Sequence, residues 1–421
     1  MTLDALHAHA RALDAQDPLH AYRGRFFIPQ RDGVEQTYLC GNSLGLQPQR
    51  VPALINEELR DWQGLGVEGH FHAERPWMPY HELLTAQMAR VVGATPNEVV
   101  CMNSLTVNLH LMMASFYRPT PSRHKIIRES AAFPSDCYAL DSQLRYHGFD
   151  PADGLITLSP RDGEDHLRLD DMLETIERHA ADTALVLLPG VQYYTGQVFD
   201  INTITEHAHR LGCVVGWDLA HSVGNVALSL TDSGADFAVW CNYKYMNAGP
   251  GAIGGCFVHA RHHHEDLPRF AGWWGQDKAS RFQMGPTFSP IPTAEGWQLS
   301  NPPILAMAPL LASLELFDDA GMPALVDKAR QQSRMVIDYL HAHFQDKVSL
   351  ITPIDDASRG GQLSLRIAHH GKRVQEALIA ENVICDWREP DCIRIAFAPL
   401  YNRFDDGVQF LRVLHQVLNH D

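Results

Sequence analysis

Between residues 98 and 258 the chain alternates short β-rich runs with segments of helical period. The runs are "EVVCMN", "KIIRES", "LITLS", "ALVLLPG", "CVVGWD", "FAVWCN" and "AIGGCFV". Between them, "LTVNLHLMMASFY", "LRLDDMLETIERHA" and "NTITEHAHRLG" place apolar residues at intervals of three and four. This pattern predicts an α/β fold, with a mostly parallel sheet covered by helices on both faces. From 261 to 303 the alternation stops in a loop-rich, ordered-looking stretch carrying "GWWGQD" and "SNPPI". Beyond it, "ILAMAPLLASLELFDDAG" and "PALVDKARQQSRMVIDYLHAHFQ" read as long helices. The strands "VSLITP", "GQLSLRI" and "CIRIAF" and a terminal helix follow. The expected organisation is an N-terminal segment (1–48) packing with the small domain, a large α/β domain (49–303), and a smaller α+β C-terminal domain (304–421).

Composition narrows the class. Over 421 residues, 34 Lys and Arg against 50 Asp and Glu give a formal charge of −16, which disfavours nucleic acid and anionic membranes as partners. No apolar run approaches the roughly 18 residues that span a bilayer. The opening "MTLDALHAHARALDAQDPLH" has neither a basic nor an apolar export region, so a cytoplasmic location is expected. The eight cysteines lie mostly in strand-like runs without a CxxC pair, which favours buried free thiols over disulfides or zinc. "HELLT" lacks the second histidine of a zinc helix, and "HHH" at 262–264 reads as surface, so no metal is expected.

Two motif matches are weaker than they look. "GLGVEG" fits GxGxxG, but a helical run precedes it and no helix follows, contrary to a dinucleotide turn. "GNSLG" fits the nucleophile elbow, which makes Ser43 a serine-hydrolase candidate; yet "LQP" intervenes where the elbow requires a helix.

The chemistry concentrates around "WCNYKYMNAGPG". A lysine among aromatic residues is either a snorkelling surface cation or a working amine. Twenty-six residues earlier "CVVGWD" ends in Asp218, with His221 just beyond, where strand ends place ligand contacts in open α/β sheets. If both strands share one sheet, Asp218 and Lys244 face one crevice with room for a planar ring. That suits pyridoxal phosphate, which needs a lysine to hold it and a carboxylate at its pyridine nitrogen. Ser104 or Thr106 can start a helix whose free N–H groups bind the phosphate. In "AFPSD", Phe133 offers a stacking face, and Ser135 and Asp136 offer hydrogen bonds.

These residues resemble the aminotransferase-like pyridoxal phosphate enzymes of fold type I and, within them, the kynureninase family. The resemblance rests on "YLCGNSLGLQP", "RPW", "MNSLTVNLHLMM", "AFPSDCYA", "GWDLAHSVGN", "WCNYKYMNAGPG", "GWWG", "SNPPI" and "IRIAFAPLYN", in that order along nearly the whole chain. It implies hydrolysis of kynurenine or 3-hydroxykynurenine to alanine and an anthranilate, in tryptophan catabolism leading to NAD. It further implies Lys244 on the cofactor, Asp218 on the pyridine nitrogen, Phe133 on the ring, and Leu105, Thr106 and Tyr243 on the phosphate. His221 would lie beside the cofactor, and Tyr243 is a candidate acid or base. Trp273 (from the partner of a homodimer) and Asn301 would complete the site, and Arg394 would clamp the α-carboxylate. Ser43, His70 and Asn301 would line the aromatic end of the substrate pocket, favouring the hydroxylated ring. In "CIRIAF" the pleat sets Arg394 opposite Ile393 and Ile395, so it points away from the apolar side; the alternative is a solvated edge arginine. Pro189 stands where many relatives carry a small hydroxyl residue. The rival within the fold, cysteine desulfuration, needs a mobile cysteine, and none occurs between 257 and 384.

Overall fold

The computed structural model describes residues 1–420. The seven apolar runs form one sheet: β1 (Val99–Cys101), β2 (Lys125–Glu129), β3 (Leu155–Leu158), β4 (Thr183–Pro189), β5 (Val214–Asp218), β6 (Phe237–Cys241) and β7 (Gly254–Val258). Their spatial order is β1-β7-β6-β5-β4-β2-β3, and β7 alone runs against its neighbours. The central strands are covered on both faces, which is why they read as unbroken apolar runs. The pleat divides their side chains. Val186, Leu188, Val215, Trp217, Ala238 and Trp240 enter one core, while Leu185, Leu187, Phe237 and Val239 enter the other. Because β1, β2, β4, β5 and β6 run the same way, their carboxyl ends open on one edge.

A second, antiparallel sheet contains β8 (Val348–Leu350), β9 (Gln362–Ile367), β10 (Asp386–Arg388) and β11 (Cys392–Ala396), in the order β8-β9-β11-β10. Its inner face carries Leu363, Leu365, Ile393 and Ile395 against Val336 and Leu340 of the Met322–His343 helix and Val408 and Leu411 of the Phe404–His420 helix. Leu6 and Ala10 of the Leu3–Gln16 helix are buried in this same core, and Thr37–Tyr38 pairs in parallel with Val383–Ile384. The Ile304–Ala320 helix behaves differently. Its Met307, Leu310, Leu314 and Phe317 pack into the large-sheet core.

Several surface expectations are overturned. His81 is buried and lies 2.9 Å from Glu295. In "HHH", His263 is buried on the carbonyl of Val258, and His262 bridges Asp236 and Glu265. Adjacent side chains do point apart, but here two directions meet protein. His81, Glu82 and Glu295 come close enough to share an ion. Lys278 already bridges the two carboxylates, at 2.8 Å from each, supplying the cation itself. The eight cysteines are free, and only Cys137 is not buried. Among the described residues, no helix is long and apolar enough to cross a membrane.

Gly216 shows how tightly the strand bearing Asp218 is held. It lies opposite Phe237 in the β5–β6 ladder, and a Cβ there would stand 2.1 Å from the Phe237 ring. Gly216→Ala should therefore overpack the core at a cost of about 1–3 kcal/mol. The expected outcome is a lower denaturant midpoint; an unchanged midpoint would show that Phe237 moves freely.

Candidate active site

The common edge of the large sheet is where the chemistry gathers. Pro189, Asp218 and the Tyr243–Lys244 pair follow the ends of β4, β5 and β6, which are neighbours in the sheet. Glu129 ends β2, and the turn after β1 leads into the Leu105–Phe116 helix. Leu105, Thr106, Glu129, Phe133, Ser135, Asp136, Pro189, Val191, Tyr193, Asp218, Ala220, His221, Tyr243 and Lys244 line one cavity at this edge.

Lys244 is half-buried and has no hydrogen bond or ion pair among the described residues; its Nζ lies 6.0 Å from the centre of the Phe133 ring and 5.7 Å from that of Tyr243. The loop around it is fixed by backbone contacts. Buried Asn242 donates to the carbonyl of Ile253, and the Gly45 N–H donates to that of Tyr243. A side chain on Gly45 would meet the Lys244 carbonyl at 2.3 Å, so the N-terminal segment can lie on the lysine loop only as glycine.

Across the cavity, Asp218 is buried and accepts from the Ala220 N–H at 2.7 Å. Two further acids crowd it. Burial pushes the Asp136 carboxyl well above the usual carboxylate range, and the neighbouring Asp218 charge adds to the rise. Burial likewise lifts Glu129 to about 8, with Asp218 contributing and a hydrogen bond from Gln192 opposing. His221 is driven the other way. Burial, then the charges of Lys244, Arg394 and Arg388, hold its imidazole well below the usual range, and its Nδ1 has no partner.

Ser104 occupies the N-cap position of the Leu105–Phe116 helix without a side-chain capping bond. Thr106 shares a 2.9 Å hydrogen bond with Ser135, from the first turn of the Pro134–Tyr146 helix. Two helix starts thus meet beside Phe133, whose ring is partly uncovered and edge-on to Tyr193. Pro189 lines the cavity next to Asp218 and contributes no hydroxyl.

The remaining predicted residues lie apart from the cavity lining. Arg394 is no edge arginine. It is fully buried on β11, the central strand flanked by β9 and β10, with Nε and Nη2 on Asp386 at 2.8 and 2.5 Å and Nη1 on the Tyr193 carbonyl at 2.6 Å. Ser43 joins this cluster, donating to Asp386 and accepting from Arg388 and Arg394. None of these partners is a histidine, and the next helix begins only at Val51, so the nucleophile-elbow reading has neither its base nor its helix. His70 bonds the Val67 carbonyl and sits edge-on to Trp77, while Asn301 is exposed and Trp273 is 42% exposed against Phe282.

Sequence reasoning missed Glu129, Tyr193, Asp386 and Arg388. The alternating polar positions of "CDWREP", followed by "CIRIAF", are the available signal for the last two.

The Glu129 carboxyl makes a prediction about stability. Folding raises it from about 4.5 to about 8, so the stability tied to its proton is fully present at low pH and is lost as pH rises through that window. In the cofactor-free protein, Glu129→Gln should therefore gain on wild type by on the order of a few kcal/mol between about pH 5 and pH 8. Denaturant unfolding at both pH values measures this; a pH-independent difference would count against a protonated Glu129.

A family model described as the kynureninase C-terminal domain matches residues 325–414. A kynureninase of Myxococcus xanthus (strain DK1622) is 57% identical over 96% of both chains, and one of Xanthomonas campestris pv. campestris (strain 8004) is 55% identical over 100% of this chain and 98% of its own. Among solved structures, a cysteine desulfurase of Escherichia coli superposes with a TM-score of 0.78 at 17% identity, covering 96% of this chain and 98% of that one. A cystine C-S lyase does so with a TM-score of 0.77 at 18% identity, covering 90% and 97%. At that identity the two structures establish the fold alone, that of fold-type-I enzymes. The near full-length identity to bacterial kynureninases goes further: this chain belongs to the kynureninase family.

Proposed function

We propose that the protein is a pyridoxal-phosphate-dependent hydrolase that cleaves kynurenine or 3-hydroxykynurenine between its β and γ carbons, releasing alanine and the corresponding anthranilate. The observation that carries this reading is the half-buried Lys244, its ammonium unpaired among the described residues, sharing one cavity with Asp218. The donor set fits the cofactor. A free amine, a buried carboxylate, an uncovered aromatic face, an orphaned imidazole nitrogen and the start of a twelve-residue helix suit its aldehyde, pyridine, ring and phosphate groups. Lys244, Asp218, Phe133, His221, Leu105, Thr106, Ser135, Asp136 and Tyr243 would hold it.

When bound, the cofactor supplies an electron sink for the pair left by removal of the substrate's α-proton. Lys244, whose amine faces the cavity, would be the base for that proton. Asp218 would keep the pyridine nitrogen protonated, and the raised carboxyls of Asp136 and Glu129 limit the repulsion around it. Arg394 binds the α-carboxylate. Burial raises the Tyr243 phenol above its ordinary value, so it retains its proton at neutral pH. It is therefore available to donate toward the γ-carbonyl as water adds.

Desulfuration is disfavoured because seven cysteines are buried and the eighth, Cys137, is on a helix rather than a mobile loop. A homodimer with shared sites is supported by the exposed Phe270, Trp273, Phe282 and Met284 on one loop region, an apolar surface that a second copy would cover.

Purified holoenzyme should be yellow and release alanine from kynurenine. Borohydride reduction followed by peptide mapping should place the cofactor on Lys244, and a label elsewhere would refute that assignment. Asp218→Asn should keep its fold and lose on the order of a hundredfold or more in kcat; near-normal turnover would remove Asp218 from the chemistry. Mixing inactive Lys244→Ala with inactive Trp273→Ala should restore part of the activity, whereas mixed dimers without recovery would show that each subunit is self-sufficient.

A further inference from the structure

Arg394 is the expected partner of the substrate's α-carboxylate, yet its charge is already matched. Asp386 lies directly across the β10–β11 ladder from it and grips the Nε–Nη2 edge with both oxygens. A paired carboxylate and guanidinium offer no net charge to a second carboxylate. The unmatched cation is two residues along β10. Arg388 and Asp386 project from the same face of the strand, and Arg388 Nη2 lies 3.2 Å from Asp386 Oδ2 and 3.4 Å from Ser43 Oγ. Two guanidiniums therefore share one carboxylate around the Ser43 hydroxyl, leaving a net charge of +1. The cluster adjoins the cavity through Tyr193, whose carbonyl accepts from Arg394 and which itself lines the cavity. The division of exposure is also informative. Arg394 is 1% exposed and locked, whereas Arg388 is 37% exposed and able to turn toward a ligand.

We propose that Arg388 is a substrate-binding residue that supplies the net positive charge for the α-carboxylate, with Asp386 as the positioning residue that holds both guanidiniums. This inference rests on reading the cavity as an α-amino-acid site. It assigns Arg394 the geometry of the carboxylate site and Arg388 its charge. Removing Arg388 would leave a neutral Arg394–Asp386 pair, and carboxylate affinity would fall although the expected clamp remained intact.

The test uses holoenzyme and two probes, L-alanine and alaninamide, which differ in the carboxylate, with binding followed by the cofactor absorbance. Arg388→Gln should weaken L-alanine binding on the order of tenfold or more, a loss moderated by partial exposure, and should leave alaninamide binding within about twofold. Arg388→Lys keeps the charge and should bind L-alanine like wild type. The KM for kynurenine should follow L-alanine, while kcat changes little. Unchanged L-alanine binding in Arg388→Gln, or equal weakening of both probes, or equal loss in the Gln and Lys variants, would each overturn the assignment. A wild-type enzyme that binds L-alanine but leaves both kynurenines intact would refute the proposed function, while the same titrations would still decide the role of Arg388.

Discussion

An ammonium half-removed from water and held by no ion pair among the described residues is the constraint around which this molecule is built. Among the described residues the Lys244 ammonium has neither a hydrogen bond nor an ion pair, and two aromatic rings lie near it. Such a group is costly unless a ligand engages it, so the surrounding structure must hold it in place against relaxation to the surface. Several features do so: the end of β6, the Asn242 side chain on Ile253, and Gly45 pressed against the lysine loop. The last of these ties the N-terminal segment to the chemistry, because the same turn carries Ser43 to the arginine cluster.

Charge is arranged in two separate groups around that lysine. On one side three acids share a buried space, and burial together with repulsion from Asp218 raises two of the carboxyls, Asp136 well above the usual range and Glu129 to about 8. On the other side Arg388, Arg394 and Asp386 form a cluster with net positive charge, contributed by the small sheet. His221 lies between the groups and stays neutral because burial and three nearby cations oppose its proton.

The small unit serves the site as well as its own core. β11 buries Ile393 and Ile395 on one face and Arg394 on the other, so one strand anchors the domain and delivers a cation. The Arg394 bond to the Tyr193 carbonyl reaches the large unit, and Gln362 on the adjacent strand donates to the same carbonyl. These polar contacts cross between the units at the cavity edge, where a hinge would otherwise let the arginines drift.

The central strands of the large sheet were legible because they are buried on both faces and must be apolar throughout, whereas the edge strand β3, only partly buried, was readable from its short β-rich run alone. Lys244, Asp218 and Phe133 were legible as candidates because a strand end followed by a polar or aromatic residue is where such sheets place ligand contacts, whatever the details of packing. Arg394 was legible by strand parity, but its burial was not, since burial depends on β9 and β10 flanking β11. Glu129, Asp386 and Arg388 acquire meaning only from neighbours far away in the chain: Glu129 from Asp218, and the arginine pair from Ser43, more than 340 residues earlier. The histidines at 81, 262 and 263 were misread for the same reason, because Glu295, Asp236 and the Val258 carbonyl reach them only in the folded chain, whereas His264 is exposed as expected. Local pattern determined which residues lie on strand ends and which faces are apolar, since periodicity and chain geometry act over a few residues. Which charges face one another, and therefore which carry protons at neutral pH, was decided by tertiary structure, because electrostatic energy depends on distance in space and burial rather than on separation in sequence.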